Sequence, residues 1–266
     1  MTSFNEALGS MAWQWYQQLR EGNTDPVLQL LVSKSAHHKL LNGIGVPHAQ
    51  LLHTVTSQTL APEHLSVPCV LEPDRGATGI GVTVLVPGGP GQWRDDRAGR
   101  TYDMTSIRDR MRWVLSQNDG HPDEWLVEEL MVPREGRGLI EYGCYVFGGV
   151  EVPLVRAGRT VGGRTCKRWF TVDGEPVVVE RPGWMFPVDD GLPGPRDMAE
   201  LLGVARMVAA AVPTPFLRVD VYDTTRGLVV SEVNPTDGYR AGFVSDWDRI
   251  LGQLLDEAKQ LQVGPQ

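Results

Sequence analysis

Lysine is nearly missing from this chain. Of 25 basic residues only Lys34, Lys39, Lys167 and Lys259 are lysine, and the rest are arginine. Arginine stays charged and grips carboxylate and phosphate through a rigid fork, whereas lysine is a mobile point charge. A phosphate site that needs an ammonium group therefore has few candidates. Cysteine is scarce as well. Cys69, Cys144 and Cys166 are odd in number and form no C-x-x-C pair, which argues against a disulfide framework, a zinc knuckle or a dithiol redox centre. No apolar run approaches the ~20 residues that span a bilayer. The N-terminal stretch carries Glu6 and lacks a basic start, so it does not read as a signal peptide, and the expected setting is the cytoplasm. Positive charge is short too. A formal net charge of -8 disfavours nucleic acid and anionic membrane as partners.

What remains is a globular chain of 266 residues, 41% hydrophobic. At ~100–200 residues per domain, that is one large domain or two closely packed lobes. Leu8, Met11, Ala12, Trp15 and Leu19 recur at helical spacing. Asp25-Pro26 reads as a capped helix start, and KSAHHKLLNGIG as a short helix ended by Gly43 or Gly45. SVPCVLEP and IGVTVLV are β-branched runs around a glycine-bearing turn. Residues 86–99 read as a loop. DMTSIRDRMRWVLSQN reads as a helix capped by Asp103, and EWLVEELMV as a strand entering a linker. LIEYGCYVFGGVEVPLV gives two strands about Gly148-Gly149. The Gly-, Pro- and Arg-rich stretch 158–190 has no clear period. RDMAELLGVARMVAAAV is helical, PFLRVDVYDTTRGLVVSEVNP is a strand pair, and DWDRILGQLLDEAKQLQ closes with a helix. Hairpins mixed with helices imply an α+β fold.

The strongest chemical signal is FLRVDVY followed by VVSEVNP. Side chains alternate along a strand, so Arg218, Asp220 and Tyr222 share one face, with Leu217, Val219 and Val221 on the other. In the partner strand Glu232 and Asn234 share a face, with Val229 and Val233 opposite. Like charges facing across strands are destabilising, so Asp220, Glu232 and Asn234 together point to a cation. Two carboxylates and an amide oxygen, with positions left for phosphate and water, suit Mg²⁺. Arg218 would stand beside it. The competing reading is the ordinary polar face of a hairpin.

These residues, with the run from Pro193 to Pro235, resemble the ATP-grasp superfamily, and most closely its teichuronopeptide-biosynthesis (TupA-like) branch. The resemblance rests on a proline, a Met- and Ala-bearing helix, an R-V-D-x-Y strand and a following Glu. It runs roughly from residue 30 to 240 by element order and is specific around 197–235. It implies two α+β lobes with antiparallel sheets that grip a nucleotide. The expected segments are an N-terminal helical piece over 1–66, a small lobe with the glycine loop over 67–127, and a C-terminal lobe with the metal-binding hairpin over 128–266. By the same resemblance, Asp220, Glu232 and Asn234 hold Mg²⁺ on ATP, with Arg218 and Lys34 on phosphate oxygens. The backbone of Glu128, Glu129, Leu130 and Met131 meets adenine, and Glu141 lies near the ribose or phosphates. The loop EPDRGATGIGV, with Glu72, Arg75, Gly76 and Gly79, covers the phosphates. Glycines there permit unusual φ values and expose N–H groups to anions.

Two positions depart from the family. Glu72-Pro73 stands where a Lys-Pro is usual, and Glu141-Tyr142-Gly143 where D-Y-K is common. Two unit charges ~4 Å apart interact by roughly 4 kcal/mol at an effective dielectric near 20, so a lysine-to-glutamate reversal matters. Arg75 could reach back to compensate, and Arg156, Arg159, Arg164 and Arg168 supply further cations. Trp169 and Trp184 flank the expected substrate loop, and the six histidines read as structural.

The resemblance implies an ATP-dependent carboxylate–amine ligase working through an acyl phosphate on a small amino-acid-like substrate, in natural-product or cell-envelope biosynthesis. Its partners would be a small-molecule carboxylate and an amine, with no nucleic acid and no membrane, and a homodimer left open. A phosphotransferase with Asp189 or Asp237 as base, or a non-catalytic nucleotide-binding module, remain as alternatives.

Overall fold

The computed structural model describes residues 3–76, 79–95, 98–117, 121–135, 138–161, 164–179, 186–237 and 242–262. Three helices open the chain: α1 (Phe4–Arg20), α2 (Pro26–Gln29) and α3 (Lys34–Ile44). Each has a side-chain cap. Ser3 accepts from the Glu6 amide, Asp25 from Val27, and Ser33 from Ala36, satisfying N–H groups that a helix start leaves free. Gly45 ends α3 at φ +71°, a left-handed conformation that glycine adopts without strain.

The small lobe is a six-stranded antiparallel sheet in the order β1-β6-β2-β3-β4-β5. Its strands are β1 (Leu51–Val55), β2 (Cys69–Pro73), β3 (Thr83–Gly89), β4 (Gln92–Asp95), β5 (Arg100–Asp103) and β6 (Trp125–Glu129). Helix α4 (Met104–Ser116) covers it with Ile107, Met111 and Val114. Within the stretch 86–99, expected as a loop, residues 86–95 are instead the β3–β4 hairpin. Trp93 anchors it, buried with its indole N–H on the Leu65 carbonyl at 2.7 Å. The prolines and glycines of this stretch mask the strand pattern, although β3 and β4 are both paired on two sides.

The large lobe is a second antiparallel sheet, ordered β10-β9-β8-β7-β11-β12. It comprises β7 (Ile140–Phe147), β8 (Glu151–Val161), β9 (Arg164–Thr171), β10 (Pro176–Val177), β11 (Phe216–Thr224) and β12 (Gly227–Asn234). Much of the unreadable stretch 158–190 is thus the β8–β9 hairpin. Helix α5 (Met198–Ala210) covers one face together with α2 and α3, enclosing Leu217, Val219, Val221, Val230 and Val233. Helices α1 and α6 (Ser245–Gln262) cover one end of the other face. There Phe4 lies 5.4–5.7 Å, ring to ring, from Phe147, Phe216 and Phe243. Truncating so buried a ring costs about 3–5 kcal/mol. Within the 1–66 stretch, the three helices therefore pack with the large lobe, and β1 joins the small one.

Candidate active site

The face that α1 and α6 cover at one end turns polar along its strands. Register places directly opposite residues on one face, so Arg156, Gly143, Asp220 and Glu232 form a row across β8, β7, β11 and β12. The next row is Leu154, Tyr145, Arg218 and Asn234. The hairpin therefore brings Asp220, Glu232 and Asn234 together, as its alternation predicts. One detail differs. A bulge at Ser231 shifts the register, pairing Val229 with Tyr222 and Val230 with Val221. Val229 thus lies on the Tyr222 face and not opposite Glu232. Bulges of this kind bend a strand and re-aim its side chains next to a site.

Arg218 is the hub. Its Nε donates to Asp220 Oδ1 at 2.8 Å, and Nη2 to Oδ2 at 2.7 Å. Nη1 reaches Asp237 Oδ1 at 2.6 Å. Glu232 lies 3.9 Å away, and the Asn234 amide donates to Asp220 at 3.2 Å. Burial by itself would lower the Arg218 pKa, but Asp220 and Asp237 hold it well above the ordinary value. Glu232 is kept low by His37, Arg218 and Lys34 against the opposing effect of burial. Glu141, in the third row beside Tyr222, is pushed up to about 7 by burial and then by Asp220, with Arg156 and Arg218 opposing.

The donor set fits a hard cation shared with a ligand. Three carboxylates, of Asp220, Asp237 and Glu232, already converge on a cation, the Arg218 guanidinium, with Asn234 held beside them by Asp220. Among the described residues no cluster of three or more His, Cys, Asp or Glu forms a complete metal cage. Mg²⁺ typically takes one or two carboxylates and completes its shell with water and phosphate.

Lys34 faces this wall from the other side. Asp74, at the end of β2, accepts from the Ser35 amide at 2.7 Å and from the Ser33 hydroxyl at 3.2 Å. Its carbonyl takes the Lys34 amide at 3.0 Å. The first turn of α3 is thereby pinned to the glycine-loop strand. Lys34 Nζ stands 3.6 Å from Glu72 and 3.4 Å from the Gly76 carbonyl. Burial pushes the Glu72 carboxyl up to about 8, against the pull of Lys34 and with help from Glu128 and Glu232. Glu128 in turn meets His38 Nε2 at 2.7 Å. Lys34 and His38 of α3, with Glu72 and Glu128 of the small-lobe sheet, thus make one chain of polar contacts where α3 meets the small lobe.

Other expected residues sort cleanly. Lys34, and not Arg75, meets Glu72, and Arg75 is exposed. Gly76 lies at Lys34, and Gly79 takes φ +73°. The backbones of Glu128 and Glu129 pair with β1 and β2, and the Glu129 carboxylate binds Arg226. That leaves Leu130 and Met131 beyond the strand, at the start of the linker. Of the four extra arginines, Arg156 reaches the site. Arg159 is spent on Asp189 at 3.2 Å, and Arg168 on the Asp190 and Leu192 carbonyls. The Arg164 side chain and Trp184 lie outside the described residues, and Trp169 is core. Sequence reasoning missed Asp74 and His38, and it raised Asp237 solely as a base. The E-P-D ending of β2 was the available signal for Asp74. A separate cavity of about 180 Å³ lies on the α5 side of the sheet, lined by Tyr142, Arg196, Asp197 and Asp223 among others.

No helix among the described residues is long and apolar enough to cross a membrane. No curated protein sequence gives a significant match. The chain is similar in structure to a D-alanine–D-alanine ligase from Bacillus anthracis, at 14% identity and TM-score 0.53, over 89% of this chain and 70% of that one. The same ligase complexed with ATP aligns at 16% identity and TM-score 0.53, over 89% and 67%. A RimK-domain ATP-grasp protein from Sphaerobacter thermophilus aligns at 17% and 0.51, over 90% and 70%. At such identities the likeness shows the fold, two antiparallel sheets with helices, as the α+β reading expects. The sequence profile described as TupA-like ATP-grasp matches residues 107–256, more than half of the chain. The chain belongs to the TupA-like ATP-grasp family.

Proposed function

We propose that the protein is an ATP-dependent ligase that joins a carboxylate to an amine and releases ADP. The observation that carries this reading is the row Asp220–Glu232 with Arg218 and Asn234, facing Lys34 across the cleft. A carboxylate oxygen of the substrate attacks the γ-phosphorus. The bond from that phosphorus to the bridging oxygen breaks, and its electron pair leaves with ADP. The amine nitrogen then attacks the acyl phosphate carbonyl, the carbon–oxygen bond to phosphate breaks, and the amine proton passes to phosphate or water.

This chemistry needs no side-chain nucleophile. The protein's part is to position reactants and neutralise charge. Arg218 would meet charge on the transferring phosphoryl group, and Lys34 would reach phosphate oxygens. Asp220, Glu232 and Asn234 would hold Mg²⁺, which would supply charge neutralisation across the phosphates. Leu130 and Met131 would offer backbone groups to adenine, and Glu141 would face the ribose or phosphates. Both bases considered for a phosphotransferase are engaged: Asp237 by Arg218 at 2.6 Å, and Asp189 by Arg159 at 3.2 Å. That favours the ligase. The small-lobe wall keeps a cation despite Glu72, which speaks against a degenerate module. Under this reading the substrates are small and amino-acid-like, and the enzyme is cytoplasmic.

The test is release of ADP versus AMP against a panel of amino acids, with mass spectrometry of the products. Amine-dependent ADP release with a product heavier by the condensed pair supports the ligase. Phosphorylated hydroxyl product, or no ADP with any substrate, overturns it.

A further inference from the structure

Arg156 is held unlike its neighbour. Arg218 makes short hydrogen bonds to two carboxylates, whereas Arg156 has five N–H donors and makes one long side-chain hydrogen bond, 3.4 Å to Glu141. Asp220 and Asp237 stand farther off, at 3.8 and 3.9 Å. The side chain is mostly enclosed, 19% exposed, so a guanidinium with spare donors is kept at the edge of the cleft. Its reach depends on the residue opposite. Arg156 pairs with Gly143, and a Cβ there would lie 2.9 Å from Asp220 Oδ1 and 3.4 Å from Arg156 Nη2. The absence of a side chain at 143 is what lets the guanidinium lie over β7 towards Asp220. A second observation points to the same spot. The Tyr145 hydroxyl, on the same face of β7, is fully buried with the Asp237 carboxylate beside it and makes no hydrogen bond of good geometry, while its ring packs against Trp169 and Phe216. The hydroxyl lies among Arg156, Arg218 and Asp237.

Building on the ligase reading, we infer that Arg156, laid across Gly143, forms with Arg218 and the Tyr145 hydroxyl an oxyanion site for the substrate carboxylate and the phosphoryl group it acquires. Two guanidiniums and a hydroxyl offer planar, forked donors that match a carboxylate or phosphate. The rival role is purely structural, with Arg156 merely neutralising Glu141, Asp220 and Asp237.

Inorganic phosphate serves as the probe, added to the full chain saturated with Mg²⁺ and ADP, with thermal shift and calorimetry as readouts. In the wild type phosphate raises the melting temperature beyond the Mg²⁺–ADP value. Arg156→Gln keeps the Mg²⁺–ADP shift and weakens phosphate at least tenfold, while Arg156→Lys, which retains the charge, recovers part of the affinity. A structural role predicts a lower melting temperature for the bare variant with the phosphate increment unchanged. That result overturns the inference, as does a wild type that ignores phosphate or an Arg156→Gln variant that loses both shifts. If Arg156→Gln fails to fold, Arg156→Lys decides, since full phosphate affinity there contradicts a forked contact. A wild type without an Mg²⁺–ADP shift instead overturns the ligase reading, and an Arg156-dependent phosphate shift in that protein leaves the oxyanion site standing.

Discussion

On the large-lobe wall of the cleft, Arg218 closes on Asp220 through hydrogen bonds of 2.7 and 2.8 Å. On the small-lobe wall, Lys34 stands 3.6 Å from Glu72, whose carboxyl is pushed up to about 8 by burial. The first pair is a forked contact that fixes both partners in place. The second is a mobile ammonium next to an acid held near its titration point, with Glu128 and His38 behind it. One wall has its charge fixed in advance, while the other can adjust as an anion arrives. The difference follows from chemistry: a guanidinium fork dictates geometry, and an ammonium on a flexible stem does not.

The sharpest way to break the comparison is to take away the rigid wall's carboxylate. Asp220→Ala leaves Arg218 buried with Asp237 as its close partner, and breaking such a pair costs about 3–5 kcal/mol. ADP release should fall to background. Denaturation and ADP release, measured together, check both parts, and unimpaired release would end the assignment of Asp220 to the metal. A smaller effect comes from converting the adjustable wall. Glu72→Lys would place two ammonium groups together and free Lys34 from its partner. With one negative charge replaced by a positive one beside the phosphates, we expect Mg²⁺–ATP to bind roughly tenfold more tightly, about 1.4 kcal/mol, by calorimetry. Weaker binding would mean that Glu72 has a task of its own in holding Lys34.

The smallest effect concerns protons. The ordinary Glu pKa is 4.5, and in the folded chain Glu72 is pushed up to about 8 by burial, with Lys34 opposing and Glu128 and Glu232 adding. A raised acid favours folding while it is protonated, so its contribution is full below about 4.5 and is lost as pH rises through about 8. Glu72→Gln should therefore melt higher than wild type at pH 9. The gap should close as pH falls to 5, and an equal gap at both values would refute the shift.

Much of the fold was legible because local chemistry announced it. Asp103 capped α4, Gly45 stopped α3, and the alternation in FLRVDVY placed Asp220 across from Glu232. What escaped depended on register or on distance along the chain. The bulge at Ser231 moves Val229 to the other face, and nothing in VVSEVNP marks it. Arg156 reaches the site because it sits opposite Gly143, a pairing set by the β7–β8 turn. His38 meets Glu128 ninety residues away, and Asp237 follows the hairpin in a segment with no period of its own. The stretch 158–190 shows no clear period because its glycines, prolines and arginines break up the alternation, although it holds the end of β8 and all of β9 and β10.

The first helix and the last share one core: Phe4 touches Phe243, and the Asn5 amide donates to Asp248 at 2.8 Å, 243 residues along the chain. The small-lobe sheet, by contrast, draws all its strands from the continuous stretch between Leu51 and Glu129. During synthesis the small lobe can therefore finish while the large-lobe core still waits for α6, holding α1 unburied until α6 emerges. Contacts this far apart make closing that core a slow, late step of folding.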